Sequence, residues 1–477
     1  MNKVYVISLG CDKNRVDGEV MIGSLRYTGY SVINEPSQAQ AIIVNTCGFI
    51  SEAVQESIDI ILELADHKTN GSCKALIVVG CMAARYKNEI ATAIPEADEI
   101  IGVGEYENIS ALVKKYLPPL ELGQNLLQEV VTPRPEGNVA GVSSVEWQGL
   151  GQSPIKEDSY LLRIYAREDD ITPHIAYIKI SEGCDNHCTY CTIPLIRGGY
   201  KSRPMENILV ECEQLFNLGA KEFVLVAQDT ALYGLDIYGR KVLPELITKI
   251  AEINKNLWIR LMYVYPEHIT PELIKVMQLP QICKYIDMPI QHSETSVLAR
   301  MGRKESREEL LKLIHTLRNQ ISDITIRTTL MVGFPGETGS DFENMLEFVK
   351  EIKFDRLGAF PYSQEEGTPA ATFLQQVDED IKSDRLHEIM ELQQKIHFQN
   401  QESKIGKTER VIIDSDIFSD LHKTSYIGRT QYDTYDVDTV VYIHAKTPLV
   451  VGQFYNVCIT GIDQYDLIGE VLENEPS

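Results

Sequence analysis

No apolar run in this chain approaches the roughly 20 residues that a bilayer-spanning helix requires, so a helical membrane protein is not expected. The apolar stretch at the N-terminus is too short for a secretory signal and reads as a strand. Positive charge is scarce: 45 Lys and Arg stand against 69 Asp and Glu, a net charge of −24. Such a chain repels polyanions and attracts basic partners, so nucleic acid is not expected as the main partner. The ten cysteines lack a second C-x-x-C pair of the kind that zinc sites use. They cluster instead of spreading as a disulfide framework would, which points to metal binding in a reducing compartment, the cytoplasm.

With 477 residues and 44% hydrophobic content the chain has room for several domains. The fold class expected is α/β in three parts. Residues 1–118 alternate strand-length apolar runs at 4–9, 41–46 and 75–80 with a helical pattern at 51–65. In that pattern Val54, Ile58, Ile61, Leu62 and Ala65 share one face, and Ser51 is the expected N-cap. This predicts an open parallel sheet. Residues 119–172 read as a linker, with Pro119, Pro133 and Pro135 and strand character at 160–166. Residues 173–402 give six strand–helix alternations, with strands at 176–181, 223–228, 257–263, 285–290, 325–332 and 357–362, which predicts a partial (β/α) barrel. A helix at 382–401 is expected across its outside. Residues 403–477 turn to short β runs at 409–413, 439–443 and 454–460, expected to form a small β-barrel. That last part holds twelve acidic against six basic residues, Asp433, Asp436 and Asp438 among them. It reads either as a docking surface for a basic protein or as an ordinary solvated face.

The densest chemistry lies in Gly183-Cys184-Asp185-Asn186-His187-Cys188-Thr189-Tyr190-Cys191. Three thiolates at C-x-x-x-C-x-x-C spacing can hold three irons of a four-iron four-sulfur cluster, and no fourth Cys lies near to close the last position. A site with a vacancy is a reactive site. Zinc is the competing reading, with His187 inside the triplet as a possible ligand. A second set of three is less obvious. Cys11, Cys47 and Cys81 each follow one of the N-terminal strand runs directly. Ligands in open parallel sheets sit beyond the carboxyl ends of the strands, so these three are placed to converge on a second cluster. Cys73, Cys212, Cys283 and Cys458 lack partners and are expected to be buried thiols.

The triplet of the barrel resembles the signature of radical S-adenosylmethionine (SAM) enzymes. Taken with the N-terminal three-Cys part and the C-terminal barrel, of the type called TRAM, nearly the whole chain resembles the radical-SAM methylthiotransferases. Ser8-Leu9-Gly10-Cys11-Asp12-Lys13-Asn14-Arg15-Val16-Asp17, Asn45-Thr46-Cys47-Gly48-Phe49-Ile50 and Lys179-Ile180-Ser181-Glu182-Gly183-Cys184 are similar to the RimO branch. Asp12 stands where a Pro is usual and Gly18 where a Ser is usual, and the 119–172 linker is long for the family.

The resemblance implies two 4Fe-4S clusters with SAM on the open iron of one, and reductive cleavage of SAM to a 5′-deoxyadenosyl radical. It implies that the auxiliary cluster at Cys11, Cys47 and Cys81 carries the sulfur, which is methylated by a first SAM. The product would be a methylthio group on an aspartate of ribosomal protein S-twelve, with electrons from a flavodoxin or ferredoxin. The alternatives are a tRNA adenosine methylthiotransferase of the MiaB branch and a non-catalytic iron–sulfur carrier. The MiaB branch usually carries an Arg soon after the second Cys, where this chain has Gly48-Phe49-Ile50. Candidate SAM contacts are Gln228, Asp229 and His292 after barrel strands, and the turn Gly333-Phe334-Pro335-Gly336-Glu337. Gly333, Pro335 and Gly336 there either admit a ligand to the backbone or simply make the turn. Tyr190 is placed either against the SAM adenine or in the core.

Overall fold

The computed structural model describes residues 1–118, 159–169, 172–417 and 424–472. The chain divides into two compact units, Met1–Asp169 and Asp170–Ser477. Most of the expected 119–172 linker lies outside the described residues.

The first unit is built on strands β1 (Lys3–Ser8), β2 (Ser31–Ile33), β3 (Ala41–Thr46), β4 (Ala75–Gly80) and β5 (Glu99–Ile101). They form one parallel sheet in the order β2-β1-β3-β4-β5. Every residue of β3 and β4 is buried, because helices cover both faces of the sheet and continuous apolar runs suit that position. Helix α1 (Asp12–Tyr27) follows β1 and helix α2 (Ser51–Asn70) follows β3. The cap of α2 is Ile50, and Ser51 is its first helical residue, so Ser51 is not the N-cap. The core face of α2 also sits one step round from the expected one. Ser57, Ile61, Leu64 and Ala65 are buried, while Leu62 is half exposed.

Residues 160–166 were expected to be a strand and are part of a 3-10 helix, Ser159–Asp169. Its position on α1 explains the difference. Arg163 is fully buried and pairs with Glu19 of α1. The carbonyl of Leu162 lies so near Gly23 that a Cβ there would approach to 2.0 Å. A segment held by one buried arginine and a close helix contact gains nothing from pairing as a strand.

The second unit opens with β6 (Ile175–Lys179), then a small antiparallel pair, β7 (Ser181–Glu182) and β8 (Lys201–Ser202). Strands β9 (Glu222–Val226), β10 (Trp258–Leu261), β11 (Ile282–Asp287), β12 (Thr325–Val332) and β13 (Arg356–Pro361) follow. With β6 they form a six-stranded parallel sheet in chain order, one edge β6 and the other β13. Helices fill the gaps. Two of them, Arg307–Gln320 and Gly339–Ile352, start in capping boxes on Ser306 and Thr338, which satisfy the first free backbone N–H groups. The core packs helix side chains such as Leu246, Ile250, Ile314 and Phe348 on sheet residues such as Phe223, Ile259, Ile286 and Leu330.

Beyond the long helix Glu379–Glu402 the chain forms a closed five-stranded barrel. Its strands are β14 (Thr408–Ile417), β15 (Thr424–Thr430), β16 (Val441–Ala445), β17 (Phe454–Asp463) and β18 (Asp466–Val471). The barrel is seated on the N-terminal ends of the sheet strands by buried charge. Glu222 of β9 binds Arg260 at 2.6 Å and Arg429 of β15 at 2.8 Å, and Arg429 in turn binds Asp414 at 2.7 Å. His174 reaches Asp414 at 2.9 Å. Trp258 packs on Phe454 with ring centroids 4.8 Å apart.

Two residues counted in the acidic docking surface belong to this seat. Asp433 is buried against Arg356 and Thr430. Asp438 accepts from the Tyr285 hydroxyl at 2.8 Å. A count of charges does not distinguish solvated carboxylates from paired ones, and of the three aspartates singled out only Asp436 is exposed. Cys73, Cys212 and Cys283 are buried as expected, and Cys458 is only partly so.

Candidate active site

The barrel cysteines occupy the loop between β7 and β8, just past the carboxyl end of β6. Gly183 turns the chain into that loop at φ +74°, and a Cβ on it would lie 2.2 Å from the carbonyl oxygen of Gly199, so only glycine fits. The Cys184 amide donates to the Gly198 carbonyl at 3.2 Å and the Cys191 amide to the Cys188 carbonyl at 3.1 Å. Thr189 fastens the middle of the loop to the carbonyls of Met301 and Arg300 at 2.9 and 2.8 Å. Burial first, then neighbouring groups that include Cys188, push the Cys184 thiol up to about 11 and the Cys191 thiol up to about 12. Burial raises the buried Cys283 thiol as far, so the raised values do not by themselves mark a metal site. Among the described residues no three His, Cys, Asp or Glu side chains close on a point where a single ion would sit. The fit to an iron–sulfur cluster therefore rests on the donor set, three soft sulfurs on one loop. His187 is exposed, with φ +40°.

Residues that the motif does not reveal hold the loop. Glu182 receives Lys179 at 2.6 Å, Arg197 at 2.8 Å and the Gln228 amide at 3.1 Å. Burial opposes its charge, yet Lys179 and Arg197 keep the carboxyl well below the usual range. On the other side Arg303 lies 4.1 Å over the ring of Tyr265, whose hydroxyl is 3.9 Å from the Cys188 sulfur. Tyr190 lies beside the Arg303 guanidinium and meets Phe334 edge-on at 6.4 Å. Glu182 carries a sequence signal, an acid two residues before the first ligand, but Arg303 and Tyr265 lie far away in the chain and carry none.

Glu182→Ala would leave the fully buried Lys179 ammonium without its carboxylate. Because Glu182 is about a quarter exposed, the expected loss is about 3 kcal/mol, the low end for a broken buried pair. The check is a lowered thermal midpoint together with reduced iron in the reconstituted protein.

The polar residues named from the sequence separate into two groups. Gln228 and Asp229 follow β9. Asp229 is fully buried, with one oxygen accepting from Asn186 at 2.8 Å and lying 2.6 Å from His268 Nδ1. Its other oxygen has no partner, nor do the side-chain oxygens of Gln228 and of Gln291, which follows β11. Three buried acceptors without donors, all beyond the carboxyl ends of strands, suit a ligand rich in N–H and O–H groups, as SAM is with its ammonium and ribose hydroxyls. His292 lies elsewhere, fully buried with Nε2 3.6 Å from Glu337. Glu337 also accepts from the amides of Gly333 and Phe334 at 2.8 and 3.2 Å and from Arg385 at 2.7 Å. The 333–337 turn thus carries its own carboxylate. Gly333 and Gly336, at φ +70° and +81°, are crowded by Lys382 and by Gln375, which accounts for both glycines by packing.

In the first unit the other three cysteines stand just past the ends of three neighbouring strands. Cys11 caps α1, Cys47 follows β3, and Cys81 begins the short helix after β4. A Cβ on Gly10 would sit 2.9 Å from the Cys47 sulfur, and one on Gly48 would sit 2.9 Å from the carbonyl carbon of Cys81. Asn14 ties the three loops. Its amide donates to the Leu9 carbonyl at 2.9 Å and the Thr46 carbonyl at 3.0 Å, and its oxygen lies 3.6 Å from the Cys81 sulfur. Adjacent parallel strands bring their trailing residues side by side, and that places three soft donors on one edge.

Residues 3–102 match the Uncharacterized protein family UPF0004, residues 178–349 the Radical SAM superfamily and residues 405–472 the TRAM domain. The chain is 43% identical over 469 residues to a protein of Lachnoclostridium phytofermentans named ribosomal protein uS12 methylthiotransferase RimO, covering 98% of this chain and 99% of the relative. It is 44% identical over 475 residues to the protein of that name from Clostridioides difficile, covering 99% of each. Among solved structures it is similar in fold to the radical SAM methyltransferase TsrM from Kitasatospora setae. The TM-score is 0.54 at 13% identity, over 78% of this chain and 74% of that one.

Proposed function

The chain belongs to the RimO family of radical SAM methylthiotransferases, and we propose that it adds a methylthio group to the β-carbon of an aspartate in ribosomal protein uS12. The observation that carries this reading is the second cysteine triplet. SAM cleavage needs one cluster site, whereas a sulfur donor needs another, and Cys11, Cys47 and Cys81, at neighbouring strand ends beside Gly10, Gly48 and Asn14, are the candidates to hold it.

Cys184, Cys188 and Cys191 would hold the cluster that reduces SAM, and the unpartnered oxygens of Gln228, Asp229 and Gln291 would accept from the donors of SAM. When bound, that cluster supplies an electron whose transfer to SAM yields a 5′-deoxyadenosyl radical. A radical is required because a hydrogen on a carbon beside a carboxylate is not acidic enough for a side-chain base near neutral pH. Tyr190, clamped by Arg303 and Phe334, walls the site at the third ligand and is the candidate surface for the adenine. Cys11, Cys47 and Cys81 hold the second cluster and with it the sulfur to be transferred. Electrons come from a small carrier such as a flavodoxin or ferredoxin, and the cytoplasm, where ribosomes are made, is the proposed compartment. No helix among the described residues is long and apolar enough to cross a membrane.

The test is mass spectrometry of ribosomal proteins and tRNA from cells with and without the gene. A methylthio mass on uS12 that depends on the gene is the expected result. Methylthiolated adenosine in tRNA with unchanged uS12 would replace this reading with the tRNA one.

A further inference from the structure

A cleft of about 590 Å³ opens in the second unit between the long helix Glu379–Glu402, the start of β13 and the barrel loops around Val437 and Tyr465. It lies at the N-terminal end of the sheet, where Arg356 begins β13. The cysteine loop lies past the C-terminal ends. A six-residue strand spans about 20 Å, so nothing in the cleft can react at the cysteines. It can hold a second part of whatever reacts there.

Its chemistry is specific. Arg327 and Arg356 line it, but both are already neutralised: Arg327 by Asp287 at 3.0 Å, and Arg356 by Asp433. Glu391, Asp355, Asp438 and Asp466 line it as well, four carboxylates against two arginines, with His387 3.1 Å from Glu391 and Arg318 3.8 Å from Asp355. The side-chain oxygen of Gln393 is buried there without a donor, and Arg356 Nε is buried without a hydrogen-bond acceptor. Met390, Val437 and Tyr465 stand at the rim, 38%, 46% and 45% exposed. Tyr465 is a stiff platform, stacked on Phe398 with centroids 5.5 Å apart and planes 22° apart. An occupant that donates from a cationic side chain, accepts through a carbonyl and covers three apolar groups is a segment of polypeptide bearing Lys or Arg.

We propose that this cleft is a docking site for a basic segment of the protein substrate, separate from the place of reaction. The charge of the chain favours it, since a net −24 attracts a basic protein and repels RNA. The proposal deepens the reading of a protein substrate and rests on it. It also moves the docking surface off Asp433, which is buried in the seat of the barrel, while Asp438 lines the cleft with its carboxylate already paired to the Tyr285 hydroxyl.

The experiment uses the full reconstituted chain with purified uS12 as the probe. The combined variant Met390→Lys, Glu391→Lys and Val437→Lys changes exposed rim side chains only. It should raise KM for uS12, and weaken its direct binding, by about tenfold, each Lys opposing a cationic segment. The kcat, and SAM cleavage without protein substrate, should stay within twofold. A control, Glu213→Lys with Glu252→Lys, makes the same change of charge on exposed helix positions outside the cleft. Equal loss in the control would mean a general field effect and would overturn the proposal, as would unchanged KM and binding in the rim variant. If wild-type protein binds uS12 through the cleft without modifying it, the proposed function fails and the docking site stands. Preference of the wild type for tRNA over uS12 would sink both.

Discussion

Replacing Cys184, Cys188 and Cys191 together by Ala is expected to abolish SAM cleavage altogether. The reconstituted protein should fall from about eight irons to about four, because one of two cluster sites is gone. The mirror variant, lacking Cys11, Cys47 and Cys81, should also keep about four irons. It should still cleave SAM under reduction and transfer no sulfur. Iron analysis and the yield of 5′-deoxyadenosine read both. The argument is one of separate scaffolds. The first triplet is held by Gly183, Glu182 and Thr189 of one unit, and the second by Gly10, Gly48 and Asn14 of the other. Full iron in the first variant, or methylthiolation by the second, would refute the division of labour.

Arg429→Ala is expected to have the largest effect on stability. It leaves the carboxylates of Glu222 and Asp414 without the guanidinium that joins them, and removing one partner of a buried ion pair costs about 3–5 kcal/mol. Burial pushes the Glu222 carboxyl up, but Arg429 and Arg260 overrule it and hold the group down at about 2, against an ordinary 4.5. The sign follows from the lowered value. In the wild type the contribution of Glu222 is complete above 4.5 and is lost as the pH falls toward 2. In the variant Glu222 keeps only Arg260 and its carboxyl is held down less, so the gap in thermal midpoint between the two proteins should narrow as the pH is lowered from 4.5 toward 2. A gap that is constant over that range would show that lost packing, not charge, is the cause.

The sequence reveals what continuous burial makes continuous. Strands β3 and β4 are apolar along most of their length because both faces are covered, and the expected runs match them residue for residue. The run expected for β12 matches too, although Arg327 and three threonines interrupt it. The edge strands β2 and β5 have three residues each and are mostly half-buried, and no run marks them. In the small barrel, β15 and β18 alternate between core and surface in segments rich in Thr, Ser, Gly and Asp, so their apolar residues do not stand out. The six cysteines could be read from spacing and from their place after strands. Asn14 and Arg303 could not, since each acts through partners that only folding supplies. The same limit explains Asp433 and Asp438, whose charge is plain in the sequence and whose arginine and tyrosine partners are not.

Strand β9 carries Glu222 at its first position, and Gln228 and Asp229 stand just beyond its last. It is pinned on both sides, to β6 and to β10. An extended chain is close to its full length and has almost no slack along its axis. The strand is therefore a tie rod between the seat of the small barrel and the floor of the reaction site. Glu222 and Asp229 are thus held at a fixed separation, with one ordered strand between the barrel seat and the buried carboxylate.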